Sequence, residues 1–538
     1  MLTNSSCSSR DRLLRKRLRL RARFFFRVTG WVLLFAYMIL AASLLLVRLW
    51  VMPDIEKFFP KLEAYLEEQT GTDISVASIK ADWDFLRPRI TLNKVTFAQP
   101  GQRASLTLPQ VQATFSYLSF FELKPILARL IIVNPDLHIE RQQEHVFNIA
   151  GFTVRTEKEN DSSSSGDHTQ TVIDWLLEQD HLEIVKGRFS YVDFTDPHHR
   201  PVRLRDTHFM LHRYITAWSL GLQSYVVRES ETPLDIRANF KEKWFGSGNR
   251  LEKLYGTVYA SVPYLNFGTI ASRINLDHII DTGRGAVNLW LDFDRLRPER
   301  LTADIALHDV SVRANNRSDQ NFRFDSLQGR LIQTLNDEGR FTLETQDLII
   351  KPIHRSAYYL GDTQIEGTLR DGTACDGKMK IEFFDLRSLT TIGLQLPIPE
   401  EILSHIRAMQ PEGLIENFEG SWTGPINNPT HFEVASRFKG LTLKDHENEN
   451  PLKPGFFGFK NLTGEFTANN DGGTLTLDSP SSTLSFPGVF FEKNIALDTL
   501  KMRASWELKP TLRFNVEDLI VSNADASAQV HGGWYDTG

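Results

Sequence analysis

Residues 454–479 read PGFFGFKNLTGEFTANNDGGTLTLDS, and two features of that stretch decide the fold. Thr474-Leu475-Thr476-Leu477 alternates polar and apolar residues, the period of two that buries one face of a β-strand and wets the other. Upstream, Phe459-x-x-Leu462-x-Gly464-x-Phe466 sets its last three motif positions two apart, on one strand face, with glycine in the middle. Glycine there removes a side chain where a strand bends or another backbone comes close. The same octet recurs as Leu182-x-x-Val185-x-Gly187-x-Phe189 and Leu251-x-x-Leu254-x-Gly256-x-Val258. It returns as Phe324-x-x-Leu327-x-Gly329-x-Leu331 and Ile415-x-x-Phe418-x-Gly420-x-Trp422. A degenerate copy has Met502 in the glycine slot, between Leu500 and Ala504.

The gaps between these glycines are unequal, which fits a meander of variable strands better than a fixed-length solenoid. Alternation elsewhere supports this, from Ile74-Ser-Val76 and Ile90-Thr-Leu92 to Val202-Arg-Leu204-Arg. About 25 strands at ~4.8 Å would make a sheet ~120 Å long, and open sheets rarely exceed ~10 strands without curling or splitting. The expected class is therefore mainly β: an elongated antiparallel sheet, curled into a groove, with a few short helices. A row of separate β-sandwiches is the alternative that alternation leaves open. The expected helices are Pro53 to Thr70, Ser119 to Leu130 (a helix or turn), Thr171 to Asp180 and Pro399 to Gln410. If the sheet is a groove, the candidate lining residues are Phe189, Leu204, Val258 and Leu327, then Leu331, Phe418, Leu462 and Phe466. The candidate strand-bend glycines are Gly187, Gly256, Gly329, Gly420 and Gly464.

Before the strands, Val28–Val47 (VTGWVLLFAYMILAASLLLV) carries no charge over 20 residues, enough for a helix of about 30 Å, the thickness of a bilayer core. Nine basic residues and the single acid Asp11 precede it through Arg27, so the positive-inside rule keeps the N-terminus cytoplasmic. A cleaved signal peptide expects a shorter apolar core followed by small residues, whereas Ala41-Ala42-Ser43 lies inside this run. The expectation is an uncleaved anchor. The predicted organisation is a basic tail (1–27), the anchor (28–47), an amphipathic juxtamembrane helix (48–72), a first β region (73–154), a loop (155–170) and a continuing β-groove (171–538).

The whole chain has a formal net charge of −6 although its first 27 residues are strongly basic, so the body is acidic. Nucleic acid is therefore not an expected partner, because phosphate binding needs Lys and Arg. Cys7 and Cys375 fall on opposite sides of the membrane and cannot form a disulfide. No phosphate loop, nucleophile elbow, His-Glu-x-x-His or dinucleotide fingerprint is present, and neither an enzyme nor a cofactor is expected. Asp193-Phe-Thr-Asp196-Pro-His198-His199 has the composition of a metal site but reads better as a polar hairpin loop.

Several of these stretches together resemble the AsmA-like proteins, in particular their YhdP branch, related to TamB. They are the single anchor, TGTDISVASIKADWDFLRPRITLNKVTF (70–97), Ser119 to Gly151, Leu182 to Leu211 with GRFSYVDFTD inside, residues 454–479, and LDTLKMRASWEL (497–508). The resemblance implies a bridge-like lipid transporter in the inner membrane of Gram-negative bacteria. Its periplasmic β-groove would carry phospholipids to the outer membrane and meet inner- and outer-membrane proteins at its ends. Physically, a trough lined by Val, Leu, Ile and Phe solvates acyl chains without any catalytic group. A periplasmic scaffold for outer-membrane proteins, binding by strand addition, is the alternative. Proteins of that branch are usually longer, so this chain reads as an N-terminal fragment. The anchor is expected to hold the strands from about Ile74 to Phe97 beside the membrane.

Overall fold

A computed structural model describes most of residues 27–535; the longer stretches outside the description are 54–72, 99–105, 118–125, 156–176, 196–200, 228–231, 244–252, 267–279, 314–320, 389–399, 446–456 and 487–491. Among the described residues the chain is overwhelmingly strand, with twenty-six strands and few helices. The mainly β, antiparallel fold class is what the alternation predicts. The helix expected over Pro53–Thr70 and the loop expected over 155–170 lie, but for Pro53 and Arg155, outside the described residues, as does most of Thr171–Asp180. The helix α1 (Arg27–Trp50) is 24 residues long and is long and apolar enough to cross a membrane, as an anchor or a signal sequence would be.

The chain divides into two compact units, residues 1–136 with 170–185, and residues 137–169 with 186–538. In the first, β1 (Asp73–Asp84), β2 (Arg87–Ala98), β3 (Leu106–Phe115) and β4 (Leu127–Val133) pair antiparallel in sequence order. β4 begins inside the segment expected to be a helix or turn, because LARLIIV offers β-branched residues a place in the sheet. Leu130–Val133 then pair parallel with Leu182–Val185, the start of β8 (His181–Asp193). Ile74, Val95 and Leu108 form the core of this unit.

In the second unit, β5 (Asp136–Gln143), β6 (Val146–Ile149) and β7 (Phe152–Arg155) make a small antiparallel set. The rest is one meander from β9 (Val202–Tyr214) to β26 (Ser527–Tyr535), each strand pairing with the next, except that β17 (Tyr358–Leu360) and β18 (Thr363–Arg370) both pair with β16 (Arg340–Pro352). Unbroken pairing of consecutive strands excludes the row of sandwiches, which needs breaks or crossovers. The expected curl is corrected: this is a long, uncurled antiparallel sheet, and the strands in close contact are ladder neighbours or, for β17 and β19 (Thr373–Asp385), nearly so. Between β19 and β20 (Glu412–Pro425) lies the helix α2 (Glu400–Met409), within the stretch expected to be helical.

The octet acquires a structural meaning here. In the copies that begin at Phe324, Ile415 and Phe459, the opening step of three residues is a β-bulge. Asn417 (φ 49°) and Asn461 (φ 61°) sit in the left-handed region just before Phe418 and Leu462, where the ladders of β20 (Glu412–Pro425) and β22 (Gly458–Asn469) slip register. The extra residue restores the facing, so Ile415 and Phe418 reach one apolar cluster, as do Phe459, Leu462 and Phe466. Phe324 and Leu327 behave alike across a register shift in β15 (Asn321–Leu335).

Candidate functional site

The bulges and glycines align the strands so that apolar side chains form a continuous row. Directly opposed partners run Phe384, Ile415, Phe438, Gly464, Leu477, Met502, Leu519. The row crosses β19, β20, β21 (His431–Leu443), β22, β23 (Gly472–Ser485), β24 (Asn494–Glu507) and β25 (Arg513–Ser522). Six strand spacings of ~4.8 Å make it about 29 Å long. Leu462, Leu497 and Leu500 widen it, and Phe466, Leu475, Leu484 and Ile495 flank it half-buried. Val287, Leu307 and Val310 form a second such cluster with Phe324 and Leu327.

Glycine in the octet slot serves close approach at some strands and not at others. A Cβ on Gly464 would lie 2.2 Å from the Thr476 carbonyl oxygen and 3.1 Å from the Phe438 ring, which fills the space the glycine leaves. At Gly256 the Asn239 carbonyl oxygen would be 2.2 Å away, whereas at Gly420 the nearest atom would be 3.4 Å away, on the Phe418 ring. Gly329 has φ +145° and the Leu348 Cα 2.9 Å from a built Cβ.

Each of the eight candidate lining residues lies in a strand. Phe418, Leu462 and Phe466 join the row's cluster, and Leu327 joins the second. Leu204 is opposed to buried Val226, and Val258 to buried Ala238. Leu331 opposes Ala303 and Thr345, and Phe189 is half-buried in β8 two residues after buried Gly187. Leu462 is 6% exposed, while the other seven keep part of their surface accessible. Sequence reasoning missed Phe438, Leu477 and Leu497, which stand outside the intact octets; the alternation in HFEVASRFKGLTL was the signal for Phe438.

The opposite face of the same strands is charged. Lys380 pairs with Glu419 at 3.0 Å, Lys439 with Glu416 at 2.8 Å and Arg330 with Asp304 at 2.5 Å. The hydrogen bonds from Arg330 hold the Asp304 carboxyl below its ordinary value against a smaller opposing effect of burial. Exposed pairs of this kind are worth about 0–1 kcal/mol each, so their role is to keep one face wet. Over β14 (Arg297–Arg313) and β15 and from β19 to β21 the sheet is thus two-faced: apolar on one side, charged on the other.

Asp193, the first residue of the metal-like cluster, is 5% exposed and fully engaged. Its carboxylate accepts from the Thr195 amide at 2.9 Å, the Thr195 hydroxyl at 2.6 Å, Arg141 at 3.2 Å and the Tyr191 hydroxyl at 3.3 Å. Burial pushes its carboxyl up, but the two Thr195 bonds and Arg141 outweigh it and hold it low. Asp196 and the two histidines lie outside the described residues. Asp193 thus holds a turn and cross-links β8 to β5. A depressed folded value contributes stability above the unfolded carboxyl value, about pH 3.9, that is lost as pH falls through the lower folded value. Asp193→Asn is expected to flatten acid unfolding below about pH 4, read by circular dichroism against wild type; an unchanged acid profile would contradict it.

One cleft among the described residues, of about 1070 Å³, is lined by Lys351, Arg355, Tyr358, Tyr359, Phe383 and Arg387 among others. Two of its cations are paired, Lys351 with Asp325 and Arg387 with Glu412. Among the described residues no group of three His, Cys, Asp or Glu is placed to hold a metal ion.

A family model described as YhdP protein matches residues 17–535. No curated protein and no solved structure matches the chain.

Proposed function

This chain belongs to the YhdP family, and on that premise we propose that it is a membrane-anchored, non-enzymatic conduit that moves phospholipids between the inner and outer membranes. The observation that carries the reading is the apolar row from Phe384 to Leu519, with a charged face behind it. Acyl chains lying along such a face leave water, which is worth roughly 0.8 kcal/mol per CH₂. No reacting group is needed for that. The helix α1 supplies the tether and the basic residues before it the orientation, with the strands on the periplasmic side. The charged face keeps the loaded sheet soluble.

Photo-crosslinkers at Phe189, Leu204, Leu327 and Phe466 are expected to capture phospholipid in cells, and one at exposed Arg203 to capture much less. Capture confined to Arg203 would sink the reading. Mass spectrometry of co-purifying material separates this from a scaffold for outer-membrane proteins, which would carry peptide instead of lipid.

A further inference from the structure

We propose that the tip of the β1–β2 hairpin, centred on Phe85, sits in the headgroup layer of the bilayer that α1 spans. This rests on the reading of α1 as an anchor. The helix ends in a wider turn over Val47–Val51 that carries Arg48. Arg27 and Arg48 bound the uncharged run, and 21 residues at 1.5 Å separate them by about 31 Å, close to the thickness of a hydrocarbon core. Both guanidinium groups therefore fall at membrane interfaces. The Arg48 guanidinium lies over the Trp83 ring, 5.8 Å from its centroid. That contact ties Trp83, at the end of β1, to the level of the interface.

What projects beyond Trp83 suits that level. Phe85 is 90% exposed and adopts φ 58°, a left-handed conformation that costs a bulky residue of order 1 kcal/mol or more. A large apolar side chain at a strained, solvent-facing turn is left unburied by the described residues. A lipid surface supplies a partner. Arg87 lies over the Tyr117 ring at 5.5 Å, and Trp50 is 76% exposed at the end of α1. Trp, Tyr and Arg, with an apolar body and a polar tip, are the residues that settle at bilayer interfaces. The tip's charges also fit. Arg89 grips both oxygens of Asp82 at 2.7 and 2.6 Å, which leaves Asp84 against Arg48 and Arg87. That balance favours anionic headgroups.

The test uses the full chain reconstituted in vesicles of phosphatidylethanolamine and phosphatidylglycerol. A benzoylphenylalanine crosslinker is placed at Phe85 and, separately, at exposed Ala77 on the same strand, roughly 26 Å from the tip at 3.3 Å per residue. Lipid adducts at position 85 are expected at least ten-fold above those at 77. Equal labelling in chains that resist alkaline extraction overturns the hairpin inference and leaves the anchor standing. Chains released by alkaline extraction overturn the anchor reading and this inference together. Arg48→Ala is expected to lower labelling at 85 several-fold without releasing the chain, and undiminished labelling there would also count against it.

Discussion

Truncating Phe438 to alanine is expected to cost about 4 kcal/mol, and the damage should stay local. Phe438 is 3% exposed, stands between Ile415 and Gly464 in the apolar row, and lies 6.5 Å from the Phe466 ring. Its ring packs against the space left by Gly464, a neighbour with no side chain to fill the cavity. Strands of this sheet touch their ladder neighbours, which makes stability close to a sum of neighbour contributions. Hydrogen exchange should therefore accelerate in β20, β21 and β22 while β9 keeps its protection. Phe466→Ala, at a half-buried position, should do about half as much. A uniform loss of protection from β9 to β26 would show that the sheet melts as one body and contradict the neighbour-limited picture.

The second large effect separates two glycines that occupy the same slot of the same motif. Gly464→Ala forces a Cβ to within 2.2 Å of the Thr476 carbonyl oxygen. The clash is with backbone, so β22 and β23 must part or slide, at a cost of about 3 kcal/mol. Gly420→Ala meets its nearest atom at 3.4 Å and has no left-handed φ to relieve. It should change stability by less than about 0.5 kcal/mol, or stabilise slightly by restricting the unfolded chain. Thermal unfolding of the two variants side by side decides the matter. Matching shifts would mean that close approach does not explain the motif.

Much of the fold was readable because alternation is a local property. Thr474 to Leu477 says strand without help from any other residue, and Pro399-Glu400-Glu401 says helix start. The step of three within the octet was legible as a pattern but not as a bulge, since the same spacing marks a helix face. The register slips and the left-handed Asn417 and Asn461 reveal it. The strand at Leu127–Val133 was partly mistaken for a turn because its parallel partner, Leu182–Val185, lies some 50 residues away. Pairing across that distance leaves no local mark. The curl failed as an expectation for a related reason: strand counting bounds the length of a sheet, while its bending depends on where each bulge falls. The candidate lining residues were found because the octet names a face. Phe438 was missed because its complement, Gly464, is on the neighbouring strand.

The rung-by-rung pairing of β9 to β26 has a consequence for how such a molecule changes size. Two added strands restore the chain's direction and leave every other ladder as it was. The meander can thus gain or lose whole hairpins, each altering its span by about 10 Å, without redesign of the remainder. Matching a protein to a wider or narrower gap between two boundaries then becomes a matter of duplication or deletion of a short unit, a tuning that closed barrels and sandwiches do not permit.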